Sequence, residues 1–389
     1  MRSEPNNNTI PVGQLGIIAL PGCEELANKI DNYLIRWRFQ RNSEHKDTLA
    51  FAGYEKSTYL INMDFPRFGT GEGKAALNQT VRGYDIYILC DVFNYGVTYK
   101  MYGITVPMSP DEHFANLKRA ISAIEGKAKR VSVIMPMLYE GRQHKRSSRE
   151  SLDCAMMLQE LHNMGVENFI TFDAHDPRVM NAIPLCGFES ISPAYQMIKA
   201  AVNNVDNLKI NKDNIMIISP DEGGMSRCIY YSTVLGVELG MFYKRRDFSR
   251  IVDGRNPIIA HEFLGDNVEG KDVIIVDDMI SSGESMIEVA TKLKELKAAR
   301  IYIFSAFGLF CNGFDAFDKA FQEGIIDRVF TTNLIYGTPE LLSKDWYIRV
   351  DMSKYLSYII DTLNHDTSIS DLLDPAEKIN TLLEKKGLK

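Results

Sequence analysis

Short apolar stretches rich in β-branched residues alternate with amphipathic stretches along most of the chain. The short stretches are apolar almost throughout, which is typical of parallel strands that are buried on both faces. The predicted strands are GIIAL (16–20), YDIYILC (84–90), RVSVIM (130–135), NFITFD (168–173), IMIISPD (215–221), DVIIVDD (272–278) and ARIYIFSA (299–306). Sheets made of such strands need helices on both sides.

Segments with a helical period lie between several of these strands. One is SLDCAMMLQELHNMG (151–165), and another is SMIEVATKLKELKA (285–298), which places Met286, Val289 and Leu293 on one face. The alternation of strand and helix predicts an α/β fold, with mainly parallel sheets flanked by helices.

The length and composition fit a soluble protein of two domains. The chain has 389 residues, of which 45% are hydrophobic and 24% charged. We expect two similar domains, 14–190 and 191–366, and a C-terminal extension (367–389) with a polar turn and one helix. No apolar run reaches the roughly 18 residues of a membrane span, and MRSEPNNNTI lacks the apolar core of a signal peptide. We therefore expect a cytoplasmic protein that binds no membrane.

Cysteine spacing and net charge exclude two further classes of site. The six cysteines are scattered without a CxxC pair, so we expect reduced thiols in the core rather than a zinc site. The net charge of −7 gives no general attraction for nucleic acid. Local basic clusters can still bind the phosphate of a small molecule.

The stretch VIIVDDMISSGESM (273–286) ends a predicted strand on Asp277 and Asp278. A loop of small residues followed by a helix N-terminus offers backbone N–H groups to an anion, and phosphate is the natural ligand. The two aspartates would then accept hydrogen bonds from sugar hydroxyls. The alternative is an ordinary β–α turn with Ser285 as the helix N-cap. Two adjacent acids at a strand end favour the sugar-phosphate site.

Two basic clusters are candidates for binding polyphosphate. PMLYEGRQHKRSSRE (136–150) follows a predicted strand, and YKRRDFSR (243–250) follows the apolar run VELGMF. Arginine suits phosphate oxygens, and clustered cations stabilise charge during phosphoryl transfer. Each cluster has the alternative of being a solvated surface segment.

Two further predicted strands end in possible ligand-binding groups. FDAHDPR (172–178) presents Asp173 and His175, which could hold a divalent cation directly or through water, unless the histidine is structural. ISPDEGGMSR (218–227) ends a strand on Asp221 and continues with two glycines that open a helix. This pattern suits a close approach of backbone to ligand, or simply a glycine-rich turn.

These motifs occur in a characteristic order: RFGTGE…VRG, Y-x-x-RQ-x-K, FDAHD, SPDEGG, YKRR and VDDMISSGES. From about Gly16 to about Asn364 the chain resembles the ribose-phosphate diphosphokinases (phosphoribosyl-diphosphate synthetases). The resemblance implies two phosphoribosyltransferase-like domains, the first on the ATP side and the second carrying the ribose-5-phosphate loop. It also implies transfer of the diphosphoryl group of ATP to the anomeric hydroxyl of ribose 5-phosphate, with release of AMP, for nucleotide biosynthesis. Mg²⁺ is the implied cofactor, and a homo-oligomer of dimers grouped into hexamers is the implied assembly.

The resemblance assigns roles by position. The implied adenine pocket consists of Phe68, which stacks on the base, and Thr70, Gly71 and Glu72. Further ATP contacts fall on Arg142, Gln143 and His175, and the implied metal ligands are His175, Asp221 and Asp173. Lys244 and Arg246 match the residues that stabilise the transferring group. Asp277 and Asp278 match the residues that hold the ribose hydroxyls, and the implied phosphate loop is Ser281, Ser282, Gly283, Glu284 and Ser285.

The chain departs from the family pattern, DDM-x-D-T-x-G-T, at two positions of this loop. Ser281 replaces the inner aspartate, and Glu284 replaces the later glycine. At the ATP side, Thr70 and His144 replace the usual residues, and residues 95–112 resemble an insertion. These departures leave an alternative open, a catalytically weak or inactive regulatory member that binds nucleotide or sugar phosphate. A phosphoribosyltransferase is a weaker third interpretation, because such enzymes need one domain of this type and no ATP pocket.

Overall fold

The computed structural model describes residues 9–42, 53–246 and 258–388. Its strands are β1 Gln14–Ala19, β2 Met63–Asp64, β3 Ala76–Leu77, β4 Tyr84–Leu89, β5 Thr98–Met101, β6 Ile104–Pro107, β7 Arg130–Ile134, β8 Asn168–Phe172, β9 Gly187–Ile191, β10 Ile215–Ser219, β11 Glu238–Arg246, β12 Ile258–Leu264, β13 Asp272–Ile280, β14 Ile301–Gly308, β15 Arg328–Thr332 and β16 Tyr347–Val350. Its α-helices are α1 Glu24–Asn42, α2 Pro110–Ile124, α3 Asp153–Asn163, α4 Ala194–Asn204, α5 Met225–Leu235, α6 Glu284–Glu295, α7 Asp315–Gln322, α8 Pro339–Leu342, α9 Ser353–Asn364, α10 Ser370–Leu373 and α11 Ala376–Lys385. A 3-10 helix spans Pro177–Ala182.

The described residues form two compact units. The first contains the chain up to Ser192, together with Asn333–Tyr336 and Asp351–Leu373. The second contains Pro193–Thr332, Gly337–Val350 and the chain from Asp374 onwards. Among the helices of the described ranges, none has both the length and the apolar composition needed to cross a membrane.

The first unit is built on a parallel sheet of five strands in the order β1-β4-β7-β8-β9. Its core packs strand residues such as Ile88 and Val133 against Leu117 of α2 and Leu158 of α3. Helix α9, although late in the chain, packs against α1 in this unit. The loops after β4, β7 and β8 all leave the sheet at its carboxyl edge.

The second unit has a sheet of seven strands in the order β12-β11-β10-β13-β14-β15-β16. All of its neighbouring strands are parallel except β11 and β12, which are antiparallel. Helix α6 buries Met286, Val289 and Leu293 against this sheet, as the helical period predicts. The loops after β10, β13 and β14 share one edge.

The predicted α/β class, with mainly parallel sheets flanked by helices, is confirmed. Three local expectations are wrong. Strand β13 continues past the two aspartates to Ile280, and β11 continues into the basic cluster as far as Arg246. The chain after residue 367 forms two helices, α10 and α11, rather than one.

Candidate active site

The predicted adenine contacts lie together on one short loop of the first unit, residues 67–73. The Phe68 N–H donates to the Glu72 carbonyl and the Gly71 N–H to the Phe68 carbonyl, both at 2.9 Å. The Thr70 hydroxyl donates to the Glu72 carboxylate at 2.9 Å. Phe68 is 57% exposed, so a ligand can reach its side chain.

Gly71 is required by the shape of this loop. Its φ is +93°, and a Cβ at this position would lie 2.8 Å from Sδ of Met101. Only glycine accepts both the left-handed backbone and the close neighbour.

The RQH segment after β7 and the AHD segment after β8 meet at the carboxyl edge of the first sheet. The His144 and His175 rings are 5.3 Å apart between centroids, and His144 Nε2 lies 3.5 Å from an Asp176 carboxylate oxygen. Arg142 is exposed, and Gln143 is half-buried beside it. The buried Nδ1 of His144 has no hydrogen-bond partner among the described residues. The structure therefore brings the segment that carries Arg142 and Gln143 next to the segment that carries His175.

The turn after β8 is conformationally special. Asp173 has a φ of +40°, which is uncommon for a residue with a side chain and marks a constrained turn. Its N–H donates to the Ile191 carbonyl at 2.9 Å, and the next N–H donates to Ser190 Oγ at 3.0 Å. Hydrogen bonds from Arg178 lower the pKa of Asp176 to about 2, so a carboxylate remains charged beside His144.

In the second unit, Asp221 organises the loop between β10 and α5. Its Oδ1 accepts hydrogen bonds from the N–H groups of Gly223 and Gly224, at 2.8 and 3.2 Å. A Cβ on Gly224 would lie 2.9 Å from Ser219 Oγ, so the turn is tight. The glycine-rich turn is thus folded around the carboxylate of Asp221 at the N-terminus of α5.

Asp277 and Asp278 lie next to each other within β13. The Asp278 side chain is buried, whereas Asp277 is 22% exposed and faces Arg227 Nη1 at 3.7 Å. Burial and the neighbouring carboxylate of Asp278 raise the pKa of Asp277 well above its usual range, and Arg227 opposes this shift. The Arg227 guanidinium group therefore partly offsets the repulsion between the two acids.

The predicted phosphate loop comprises residues 281–285, of which only 281–283 form the connection between β13 and α6. Gly283 is the N-cap of α6, so the alternative in which Ser285 caps the helix is wrong. Gly283 has a φ of +86°, and a Cβ there would lie 2.2 Å from the Phe317 ring. Glu284 and Ser285 are in the first turn of the helix, where backbone N–H groups have no carbonyl partner within the helix, and the Glu284 N–H donates to Ser282 Oγ at 3.4 Å.

Ser281 and Glu284, the two departures from the family pattern in this loop, both contact the loop after β14. The Ser281 carbonyl accepts the Cys311 N–H at 2.9 Å, and its hydroxyl lies 3.9 Å from Cys311 Sγ. The Glu284 carboxylate accepts a hydrogen bond from the Asn312 side chain at 3.2 Å. Glu284 is thereby held by a neighbouring amide.

Lys244 and Arg246 lie at the end of β11, opposite His261 and Ile258 of β12. The pairing shifts between Arg245 and Arg246, which marks a bulge or irregularity. The side chains of Lys244 and Arg246, and the whole of Arg250, are outside the described part of the structure.

Sequence reasoning missed Arg227 and Asn312. Arg227 lies on α5, one turn after the two glycines, and its spacing from Asp221 is a usable signal once the loop is known to precede a helix. Asn312 carries no such signal, because its contact with Glu284 links positions separated by a strand and a helix.

Three family models match the chain. "N-terminal domain of ribose phosphate pyrophosphokinase" matches residues 15–165, "Phosphoribosyl transferase domain" matches 188–308, and "Phosphoribosyl synthetase-associated domain" matches 250–374. The last two cover most of the second unit and the segment of α9.

Two proteins of similar sequence carry the same name. The chain is 26% identical over 313 residues to a "Ribose-phosphate pyrophosphokinase" of Vibrio parahaemolyticus, covering 79% of this chain and 90% of that protein. It is 27% identical over 307 residues to one of Shewanella oneidensis, covering 78% and 88%.

A solved structure shares the fold. The phosphoribosylpyrophosphate synthetase from Mycobacterium smegmatis superposes with a TM-score of 0.70 at 18% identity, covering 91% of this chain and 99% of that one. The family models, the relatives and the shared fold agree with the order of motifs in the sequence. The chain belongs to the ribose-phosphate diphosphokinase (phosphoribosyl-diphosphate synthetase) family, as a divergent member.

Proposed function

We propose that this protein transfers the diphosphoryl group of ATP to the anomeric hydroxyl of ribose 5-phosphate. The products are 5-phosphoribosyl 1-diphosphate and AMP, for nucleotide biosynthesis. The observation that carries the proposal is the end of β13, where a pair of aspartates is followed by a glycine-constrained loop and a helix N-terminus. The names of the relatives support the same reaction.

The second unit offers a separate group for each part of the sugar phosphate. N–H groups of residues 281–285 would bind the 5-phosphate, whose charge suits the first turn of α6. Asp277 and Asp278 would accept hydrogen bonds from the ribose hydroxyls, with Arg227 keeping Asp277 in place. Holding the sugar at both ends fixes the position of its anomeric hydroxyl, which is the main demand of phosphoryl transfer.

The first unit offers the groups proposed for ATP. Phe68 would stack on adenine, with Thr70, Gly71 and Glu72 around it. Arg142, Gln143 and the histidines near β7 and β8 would contact the phosphates. Lys244 and Arg246, on β11 of the second unit, would stabilise negative charge in the transition state.

Mg²⁺ is the proposed cofactor. The described residues contain no cluster of three or more His, Cys, Asp or Glu that could hold a metal on its own. Mg²⁺ with ATP typically takes only one or two carboxylates and otherwise phosphate oxygens and water, so the proposed protein ligands are few: Asp173 and His175 in the first unit, and Asp221 in the second. Bound Mg²⁺ would neutralise charge on the ATP phosphates. We also propose a homo-oligomer of dimers, as in the family pattern.

One assay tests the proposal. The purified protein is incubated with ATP, Mg²⁺ and ribose 5-phosphate, and AMP is measured by chromatography. We expect Lys244→Ala to lower the rate at least about 100-fold with an unchanged melting temperature. If the wild-type protein forms AMP no faster than Lys244→Ala, the proposal is overturned. The regulatory alternative, which Ser281 and Glu284 support, is then favoured.

A further inference from the structure

The segment that resembles an insertion folds into a β-hairpin in the first unit. Strands β5 and β6 pair antiparallel, with Met101 opposite Ile104. The two turn residues, Tyr102 and Gly103, both have positive φ, at 49° and 80°. This is the backbone of a two-residue type I′ turn, whose twist matches that of the strands.

The base of the hairpin is fixed to the start of α2. The Met108 N–H donates to the Val97 carbonyl at 2.8 Å, so the hairpin begins and ends at adjacent positions. Ser109 and Glu112 form a capping box at the helix N-terminus. The buried His113 ring contacts the Asn94 carbonyl at 2.8 Å, just before the hairpin.

One face of the hairpin packs on the loop of residues 67–73. The Tyr102 N–H donates to the Gly69 carbonyl at 2.8 Å. The closest atom to a Cβ built on Gly71 is Sδ of Met101, with the Tyr99 ring also within 4 Å. Tyr99 and Met101 are two residues apart on one strand and thus share this face.

A charged network ties the same loop to Tyr99. The Arg67 guanidinium stacks over the Tyr99 ring at 4.7 Å, and its Nη1 donates to the Gly71 carbonyl at 2.9 Å. The Tyr99 hydroxyl donates to Glu112, which also lies 3.7 Å from Arg67. Tyr99 therefore connects the loop, the hairpin and the capped end of α2.

We propose that hairpin β5–β6 is a positioning element for nucleotide binding, with Tyr99 as its positioning residue. It holds residues 67–73 in the shape that presents Phe68 to the nucleobase. A loop ordered before the ligand arrives loses less conformational entropy on binding, which strengthens affinity without a new ligand contact. The role of Phe68 in this inference rests on the proposed function.

The test compares three variants with the wild-type protein. One replaces Thr98–Pro107 by Asn-Gly, which joins Val97 to Met108 by a turn suited to their existing hydrogen bond. Tyr99→Ala removes both the ring and the hydroxyl, and Tyr99→Phe keeps the ring under Arg67. Tyr102→Asn is the matched control, since it truncates a side chain that is 78% exposed, keeps the N–H bond to Gly69 and creates a favourable Asn-Gly turn.

Two measurements are made on each variant. Hydrogen exchange without ligand reports on the amides of the 67–73 loop, and calorimetry gives the affinity for Mg·ATP. We expect faster loop exchange and about tenfold weaker Mg·ATP binding in the hairpin replacement and Tyr99→Ala, and a smaller effect in Tyr99→Phe. In the diphosphokinase assay, KM for ATP rises in parallel while kcat and KM for ribose 5-phosphate stay within about twofold. Tyr102→Asn behaves as wild type.

The outcomes separate this inference from the proposed reaction. Unchanged loop exchange in the hairpin replacement overturns the inference, and so does faster exchange with unchanged Mg·ATP affinity. A wild-type protein that binds Mg·ATP but makes no AMP contradicts only the proposed reaction. A wild-type protein that does neither overturns both.

Discussion

In the proposed phosphate loop an acid at position 284 would oppose the binding of phosphate, and the hydrogen bond from Asn312 would reduce that effect. The Asn312 amide donates to the Glu284 carboxylate at 3.2 Å, which favours a side-chain direction set by the loop after β14. Removing the amide frees the carboxylate to approach the phosphate loop. The effect of Glu284 on phosphate affinity should therefore depend on Asn312, which lies outside the family motif.

We predict that Asn312→Ala raises KM for ribose 5-phosphate about threefold, because a charge near a helix N-terminus is worth roughly 0.3–1 kcal/mol. In a Glu284→Gly background the same substitution should leave KM unchanged. Steady-state kinetics on the wild type, both single variants and the double variant checks this. An equal rise in both backgrounds would show that Asn312 acts on something other than Glu284.

A second prediction concerns the loss of stability when Gly283 is replaced by Ala, and the same substitution at Gly270 is its control. Both residues have positive φ, but a Cβ on Gly283 meets the Phe317 ring at 2.2 Å, while Gly270 has nothing within 4 Å. Gly270→Ala should lower the free energy of unfolding by about 1–2 kcal/mol through backbone strain alone. Gly283→Ala should cost clearly more, by the typical 1–3 kcal/mol of overpacking. Urea unfolding of the two variants gives the comparison, and equal losses would refute a steric role for Phe317.

At the scale of elements, the contact between α1 and α9 rests on buried charges. The Arg38 and Asp361 side chains are each 1% exposed and lie 3.0 Å apart, and Arg41 binds the other Asp361 oxygen at 2.6 Å. Asn364 accepts a further hydrogen bond from Arg38 at 2.6 Å. Removing one partner of such a pair leaves an undercompensated buried charge.

We predict that Arg38→Met lowers the free energy of unfolding of the first unit by about 3–5 kcal/mol. Lys29→Ala is the control on the same helix, since the exposed Lys29–Glu25 pair should contribute nothing measurable. Unfolding is followed by Trp37 fluorescence in a Trp346→Phe background, because Trp346 is in the second unit. A loss as small as that of Lys29→Ala would contradict a stabilising role for the buried pair.

The apolar pattern predicted seven strands of the two large sheets, but it missed β9, β12, β15 and β16 and the ends of β11 and β13. Strand β13 extends past its aspartates because Met279 and Ile280 pair with Phe307 and Gly308 of β14. Strand β11 extends through its basic residues because β12 pairs with it. Such extensions depend on the neighbouring strand, which the local sequence does not specify.

For the same reason, the sequence predicted some parts of the candidate site and missed others. Motif order predicted the family and singled out the segments that carry Phe68, His175 and Asp277. It did not predict the contacts of Tyr99 with Arg67 or of Asn312 with Glu284, which join separate segments and have no local pattern. The roles of the site residues remain predictions.

At the scale of the whole molecule, the chain passes more than once between the two units. Residues 333–336 return to the first unit, where the Tyr336 N–H donates to the buried Asp91 carboxylate at 2.7 Å. Asp91 also accepts the Phe93 N–H at 3.0 Å. Burial raises the pKa of Asp91 to about 7, despite these two hydrogen bonds.

This raised pKa predicts a pH dependence of stability. Because the folded state holds the Asp91 proton more tightly than the unfolded state, stability falls as pH rises from about 4 through about 7. Between pH 5 and pH 8 the first unit should lose about 2–3 kcal/mol from this group. Asp91→Asn, which keeps one acceptor oxygen, should be less stable at pH 5 but show a flatter profile. Urea unfolding followed by Trp37 fluorescence in the Trp346→Phe background tests this, and parallel profiles would exclude Asp91 as the cause.

The late return of α9 to the first unit has a consequence for synthesis on the ribosome. Residues up to Ser192 emerge well before Asp361. Arg38 therefore lacks its buried ion-pair partner while the strands of the second sheet are translated. Domains usually fold from the N-terminus as they emerge. Here the first unit is translated first, but it lacks α9 until the second unit has been translated. Its folding can therefore be completed only after α9 has left the exit tunnel.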